Sequence, residues 1–295
     1  MDVILIPGLW LDGSAWREVA EALEGYGLRC HPITLPGMES PAADRSSVDL
    51  DDVVGTIVSV LDECLGDVLV VGHSAGCGLA YAAVDARPGS VTAVAYVGGF
   101  PTPSGSPVVS GFPVVAGEIP FPGLDVFDDA DVRDLDDAGR AALVARALPS
   151  PGCLATEPLQ LTDENRYTVP VTLVCTEYTA ADLQEWVAAG ETPVSEIPRF
   201  ADVTYHDLGG GHWPMLTQPE ALARVLLDAA GFEPWDDADN PDAPAADPDP
   251  DAGGPGTADP GTAHADAGTA DADAPGAAPA GDAVPEGAES SEPRS

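Results

Sequence analysis

Residues 68–78, Val-Leu-Val-Val-Gly-His-Ser-Ala-Gly-Cys-Gly, constrain the fold of this chain more than any other segment. Four β-type aliphatics run directly into Gly72-His73-Ser74-Ala75-Gly76, and residues suited to a helix follow, so a serine is delivered on a sharp strand-to-helix turn. A side chain in such a turn takes strained backbone angles, and the positions two before and two after it must be small. Gly72 and Gly76 meet that demand. The start of the following helix favours negative charge developing beside the serine, which marks Ser74 as a nucleophile for acyl transfer.

The remainder of residues 1–234 alternates short strands with amphipathic helices. A strand at 3–6 precedes a helix with Trp16, Val19, Ala20 and Leu23 on one face. A strand near 28–35 and a helix with Leu50, Val53, Val54, Ile57 and Leu61 come next, then the strand before Ser74 and a helix at about 75–87. Strands are expected again at 91–97, 169–175 and 203–208, and a final helix at 218–230 with Thr217 as N-cap and Glu220 at N3. The alternation predicts an α/β domain with six mostly parallel strands and helices on both faces. Residues 100–168 interrupt it with a Pro/Gly-rich stretch and one acidic helix expected at 128–148, which reads as a small inserted lid.

After Trp235 the chain turns Ala/Asp/Pro/Gly-rich and has too little apolar surface to fold, so residues 235–295 are expected to be a disordered acidic tail. That tail holds 15 Asp plus Glu against one Arg, within a whole-chain balance of 50 acidic to 11 basic residues and a net charge of −39. Such a surface repels polyanions, so nucleic acid and anionic membranes are poor partners. The N-terminus has no basic stretch and only a short apolar run, which implies neither a signal peptide nor a membrane span and makes a cytoplasmic location the default expectation. The five cysteines form no Cys-x-x-Cys pair, and no calcium-loop or dinucleotide motif is present, so no metal or cofactor is expected.

Three segments taken together resemble the α/β-hydrolase superfamily, in particular its small plant-esterase-like and bacterial members. They are the turn around Ser74, the loop Pro7-Gly8-Leu9-Trp10 after the first strand, and Gly209-Gly210-Gly211-His212-Trp213-Pro214 before the last helix. The resemblance implies an α/β-hydrolase fold, with the backbone N–H groups of Leu9 and Ala75 as oxyanion hole and His212 as base. His31 and His206 fall within expected strands, His73 sits in the turn itself and His264 in the tail, so the context of His212 is the fitting one.

The family's usual place for the triad acid aligns with Thr179, which is no acid. Glu177 has the longer side chain needed to reach His212 from two residues earlier, and Asp182 is the alternative acid. Thr179-Ala180-Ala181-Asp182 also reads as a capping box, a sufficient structural reason for that aspartate. The family's other acid position, after the strand at 91–97, holds Gly98-Gly99-Phe100. Serine at the turn excludes the alkyl-enzyme chemistry of aspartate-bearing relatives, and the absence of any lysine argues against the hydroxynitrile lyases of the same group. The expected function is hydrolysis of a small ester or thioester through an acyl-enzyme on Ser74, with Trp10, Phe100, Trp213 and Met215 lining an apolar pocket. The alternative is a non-hydrolytic small-molecule binder on the same fold.

Overall fold

The computed structural model describes residues 1–232. The expected tail, 235–295, lies outside the described residues. Six strands, Asp2–Ile6 (β1), Arg29–Pro32 (β2), Val68–His73 (β3), Ala93–Val97 (β4), Val171–Cys175 (β5) and Val203–Asp207 (β6), form one sheet in the order β2-β1-β3-β4-β5-β6. Every pairing in it is parallel. Parallel strands need crossovers, and these are the helices Arg17–Gly25 (α1), Leu50–Glu63 (α2), Gly76–Ala86 (α3) and Ala180–Ala189 (α5), with Pro219–Ala229 (α6) the last helix among the described residues.

Both faces of the sheet are covered, and the two-residue period of the strands divides the core between them. Val3, Leu5, Leu69 and Val71 point to the face where α1 and α6 lie, and pack with Trp16, Val19, Leu23, Leu222 and Leu226. Ile4, Ile6, Val70 and Tyr96 point to the opposite face, against Val53, Ile57 and Leu61 of α2 and Leu79 and Tyr81 of α3. Each fully buried aliphatic there is worth about 1.5–3 kcal/mol over leaving it in water.

The segment 98–170 is inserted between β4 and β5. It carries a two-residue antiparallel pair, Glu118–Ile119 with Ser150–Pro151, and the helix Asp137–Arg146 (α4). The acidic helix expected over 128–148 is therefore shorter, because Asp136 caps it by accepting from Gly139 N–H at 2.7 Å. Residues upstream fold into turns instead, with Asp131 Oδ2 accepting from Asp128 N–H at 2.9 Å. The last helix also departs from expectation. Pro219 occupies its first turn, Gln218 stands at the N-cap without a side-chain cap, and the Thr217 hydroxyl is turned away to Asp134.

Register brings the carboxyl ends of the strands level: Ile6 pairs with Gly72, His73 with Val97, and Cys175 with Asp207. The loops after β1, β3, β4, β5 and β6 consequently leave from one edge, where open parallel sheets bind their ligands. No helix among the described residues is long and apolar enough to cross a membrane.

Candidate active site

At that edge β3 runs into Ser74, whose φ of 52° lies in the left-handed region. Its N–H donates to the Val97 carbonyl at 2.9 Å, and its own carbonyl accepts from Cys77 N–H at 2.9 Å, so strand and helix hold the strained residue from both sides. The two flanking glycines are sterically required. A Cβ on Gly72 would overlap the Gly76 carbonyl, and one on Gly76 would come within 2.7 Å of the Ile6 and Pro7 oxygens. The expectation that small residues must flank the serine thus has a specific obstacle behind each position.

His212 stands on the loop between β6 and α6, with Nε2 at 2.9 Å from Ser74 Oγ. On the other side of the ring, Nδ1 is 3.0 Å from Oε1 of Glu177, whose Oε2 accepts from the Thr176 hydroxyl. Asp182 is engaged elsewhere: it forms the capping box of α5 with Thr179, accepting from Thr179 N–H at 2.9 Å and from its hydroxyl at 2.6 Å. Gly98 shows why the other family acid position is empty here. A Cβ at Gly98 would sit 2.9 Å from Thr176 Oγ1, 3.6 Å from His212 Nδ1 and 3.7 Å from Glu177 Oε2, so Glu177 already fills that space.

The electrostatics follow from this line of contacts. Burial works against the charge on Glu177, but the His212 ring and the hydrogen bonds to the carboxylate outweigh it and hold the acid down at about 2. Burial likewise opposes protonation of His212, and the Glu177 charge overcomes it, so the imidazole is more basic than an ordinary histidine. His73 goes the other way: burial drives it down to about 3, so the ring is neutral. It donates from Nε2 to the His212 carbonyl at 2.7 Å and supports the His212 loop.

Gly8 brings the first loop against Ser74, since a Cβ there would stand 2.9 Å from both Ser74 Cβ and His73 Nδ1. The N–H groups of Leu9 and Ala75 donate to no acceptor among the described residues. Two free donors flanking a serine are what a developing oxyanion needs.

Residues 3–225 match the Alpha/beta hydrolase family. The chain belongs to that family. Among curated proteins none matches the sequence. Solved structures similar to this α/β-hydrolase include an extracellular alpha/beta-hydrolase from a Paenibacillus species, described as sharing structural and functional homology with tobacco salicylic acid binding protein 2. It is 19% identical, with a TM-score of 0.62 over 78% of this chain and 98% of that one. A pyrethroid hydrolase from Sphingobium faniae JZ-2 is 20% identical, TM-score 0.60, over 78% and 97%. An Arabidopsis methylesterase is 16% identical, TM-score 0.59, over 79% and 100%. At these identities the likeness is one of fold.

The four residues expected to line a pocket are spread by this hydrolase over four surroundings. Trp10 is buried at φ 63° and tied to the insertion, its N–H donating to Ser150 Oγ at 2.7 Å and its indole N–H to the Ile119 carbonyl at 3.2 Å. Phe112 and Phe121 pack edge-on against it. Trp213 is buried between His212 and Phe127, while Phe100 packs on Tyr178 near the acid loop. Met215 lines a separate cleft of about 340 Å³ with Glu18, Leu143 and Arg146. The cavity that touches Leu9 and Ala75 is walled instead by Leu35, Met38, Leu79 and Leu154 and has room of about 10 Å³. Reading the sequence missed these four because they come from three separated segments with ordinary core periodicity.

Among the described residues two groups bring donor atoms within 4.8 Å of one another: Asp131, Glu177 and His212, where both ring nitrogens of His212 are already engaged by Glu177 and Ser74, and, on the opposite edge of the sheet, Asp2, His31 and Cys64. In the second the Asp2 carboxylate is already neutralised by a two-pronged contact with Arg29 at 2.5 and 2.6 Å.

Proposed function

We propose that this α/β-hydrolase is a serine hydrolase of small, apolar carboxylic esters or thioesters, acting through an acyl-enzyme on Ser74. The observation that carries the reading is the unbroken line Ser74 Oγ, His212 Nε2, His212 Nδ1, Glu177 Oε1 at 2.9 and 3.0 Å. In it His212 takes the serine proton as Ser74 attacks the carbonyl carbon. Glu177 keeps the proton on Nδ1, so that Nε2 is the free base, and it stabilises the imidazolium that forms. Leu9 and Ala75 N–H groups hold the oxyanion, His212 returns the proton to the leaving group, and water then repeats the sequence to release the acid.

The apolar side chains about Leu9 and Ala75 favour an apolar over a charged group there, and the net charge of −39 favours neutral over anionic substrates. Two structural neighbours are named as a methylesterase and a pyrethroid hydrolase, which agrees with ester cleavage. A carboxylate beside His212 serves hydrolysis rather than binding alone, so Glu177 argues against the binder alternative. The test is release of p-nitrophenol from p-nitrophenyl acetate and butyrate by the parent and by Ser74→Ala. The variant is expected to lose at least about a thousandfold in kcat while remaining folded. Equal rates in the two would move the protein to the binder reading.

A further inference from the structure

The turn 131–134 of the insertion touches both loops that carry the base and the acid. His212 N–H donates to the Asp131 carbonyl at 2.7 Å, and Arg133 Nη2 donates to the Glu177 carbonyl at 2.6 Å. One oxygen of Asp134, Oδ2, accepts from Gly211 N–H at 2.9 Å and from the Thr217 hydroxyl at 2.7 Å, so a single carboxylate grips the His212 loop on both sides of the histidine. The fit is also steric. A Cβ on Gly211 would overlap Asp134 Oδ1 and the Asp131 carbonyl, and one on Gly210 would lie 2.8 Å from Asp134 Oδ2. Gly210 and Gly211 are therefore shaped to let this turn lie on them, rather than merely being a pliant linker.

Resting on the serine-hydrolase reading above, we propose that Asp134 is a positioning residue: from the insertion it braces the His212 loop so that one imidazole nitrogen faces Ser74 and the other Glu177. Seating of the insertion and competence of the base are then one event. The charges facing His212 make the brace measurable. Glu177 stands at Nδ1, the Asp131 carboxylate has an oxygen within 4.8 Å of a donor nitrogen of the ring, and the neutral His73 ring is 5.0 Å away centroid to centroid. A His212 loop released from Asp134 drifts from both carboxylates and loses the stabilisation that keeps it more basic than usual.

The experiment compares parent, Asp134→Ala and Asp134→Asn for kcat and KM with p-nitrophenyl butyrate across pH, and for labelling of Ser74 by a fluorophosphonate. Asp134→Ala is expected to lose about 10- to 100-fold in kcat with KM within about twofold, and to move the acid limb of its pH profile to lower pH. Asp134→Asn keeps an acceptor for Gly211 and Thr217 and is expected to recover most of the loss. A folded Asp134→Ala with parental kcat and limb overturns the proposal, and so does a loss with an unmoved limb that Asn fails to rescue. Should Asp134→Ala not fold, Thr217→Val removes one of the two donors and must show a smaller shift in the same direction; a parental profile there overturns the brace. A parent that neither turns over nor takes the probe sinks the hydrolase reading and this inference together, whereas a labelled parent with an unshifted variant sinks the brace alone.

Discussion

Glu177 reaches His212 with one methylene more than an aspartate would have, and that methylene compensates for a start two residues earlier in the loop. What it supplies is charge on the Nδ1 side of the ring, which makes the imidazole more basic and, in the proposed mechanism, fixes its tautomer. Glu177→Gln keeps the shape, removes the charge and presents an amide that can donate to Nδ1. The expected result is a loss of about 10³- to 10⁴-fold in kcat with the fold intact. Because the raised pKa of His212 rests on that charge, the acid limb of activity moves to lower pH in the variant. A pH–rate series on the two proteins checks both points, and an unmoved limb would reassign the acid. At this scale Ser74 and His212 were legible because each sits in a short string with a mechanical reason for every neighbour. Glu177 was legible only through its reach. Asp131, Arg133 and Asp134 were not legible at all, since two of them act through a backbone carbonyl or toward one, and the third is one aspartate in an acidic run.

Helix termini separate the two carboxylates that competed for the role of triad acid. Asp182 closes the capping box of α5, with Thr179 Oγ1 accepting from Asp182 N–H at 3.1 Å and the carboxylate returning to Thr179 N–H. Asp182→Ala is expected to cost about 1 kcal/mol of stability, roughly 2–4 °C in Tm, while kcat stays within about twofold. A thermal melt beside an esterase assay decides it, and a large loss of activity without a loss of Tm would return Asp182 to the site. The order of elements was readable from periodicity, and so was this cap, because both are local. The expected cap at Thr217 failed for a tertiary reason: its hydroxyl is worth more to Asp134, a residue 83 positions away in sequence. The long acidic helix shortened for a local one, since Asp136 is the better N-cap.

For the whole molecule two electrostatic effects oppose each other, and their sizes decide the outcome. Five arginines, Arg29, Arg45, Arg87, Arg166 and Arg199, pair with carboxylates on other elements among the described residues, and added salt weakens such contacts. Of these, Arg87–Asp62 and Arg199–Glu164 are exposed on both sides and are worth about 0–1 kcal/mol each, whereas Asp2, Arg45, Asp85 and Arg166 are buried, so salt screens their pairs less. Against them stand 50 acidic residues for 11 basic ones, whose mutual repulsion salt also screens, the Debye length falling from about 10 Å at 0.1 M to about 3 Å at 1 M. The repulsive pairs outnumber the attractive ones, so Tm at pH 7 is expected to rise with NaCl, by about 2–4 °C for each 1 kcal/mol gained. Lowering the pH relieves the same repulsion at first, but not indefinitely. Asp2, held by Arg29 and His31 against burial, and Glu177, held by His212 against burial, both lie at about 2 in the folded protein, below ordinary values of 3.8 and 4.5. A depressed folded pKa adds stability above the ordinary value and gives it up as pH falls through the folded one. Stability is therefore expected to collapse between about pH 4.5 and 2, where both carboxylates must take up protons to unfold. Thermal melts over pH 2–7 at low and high salt test the two effects together. A Tm that falls with salt at pH 7 would mean that the arginine pairs, not the bare excess of carboxylates, govern the charge balance of this hydrolase.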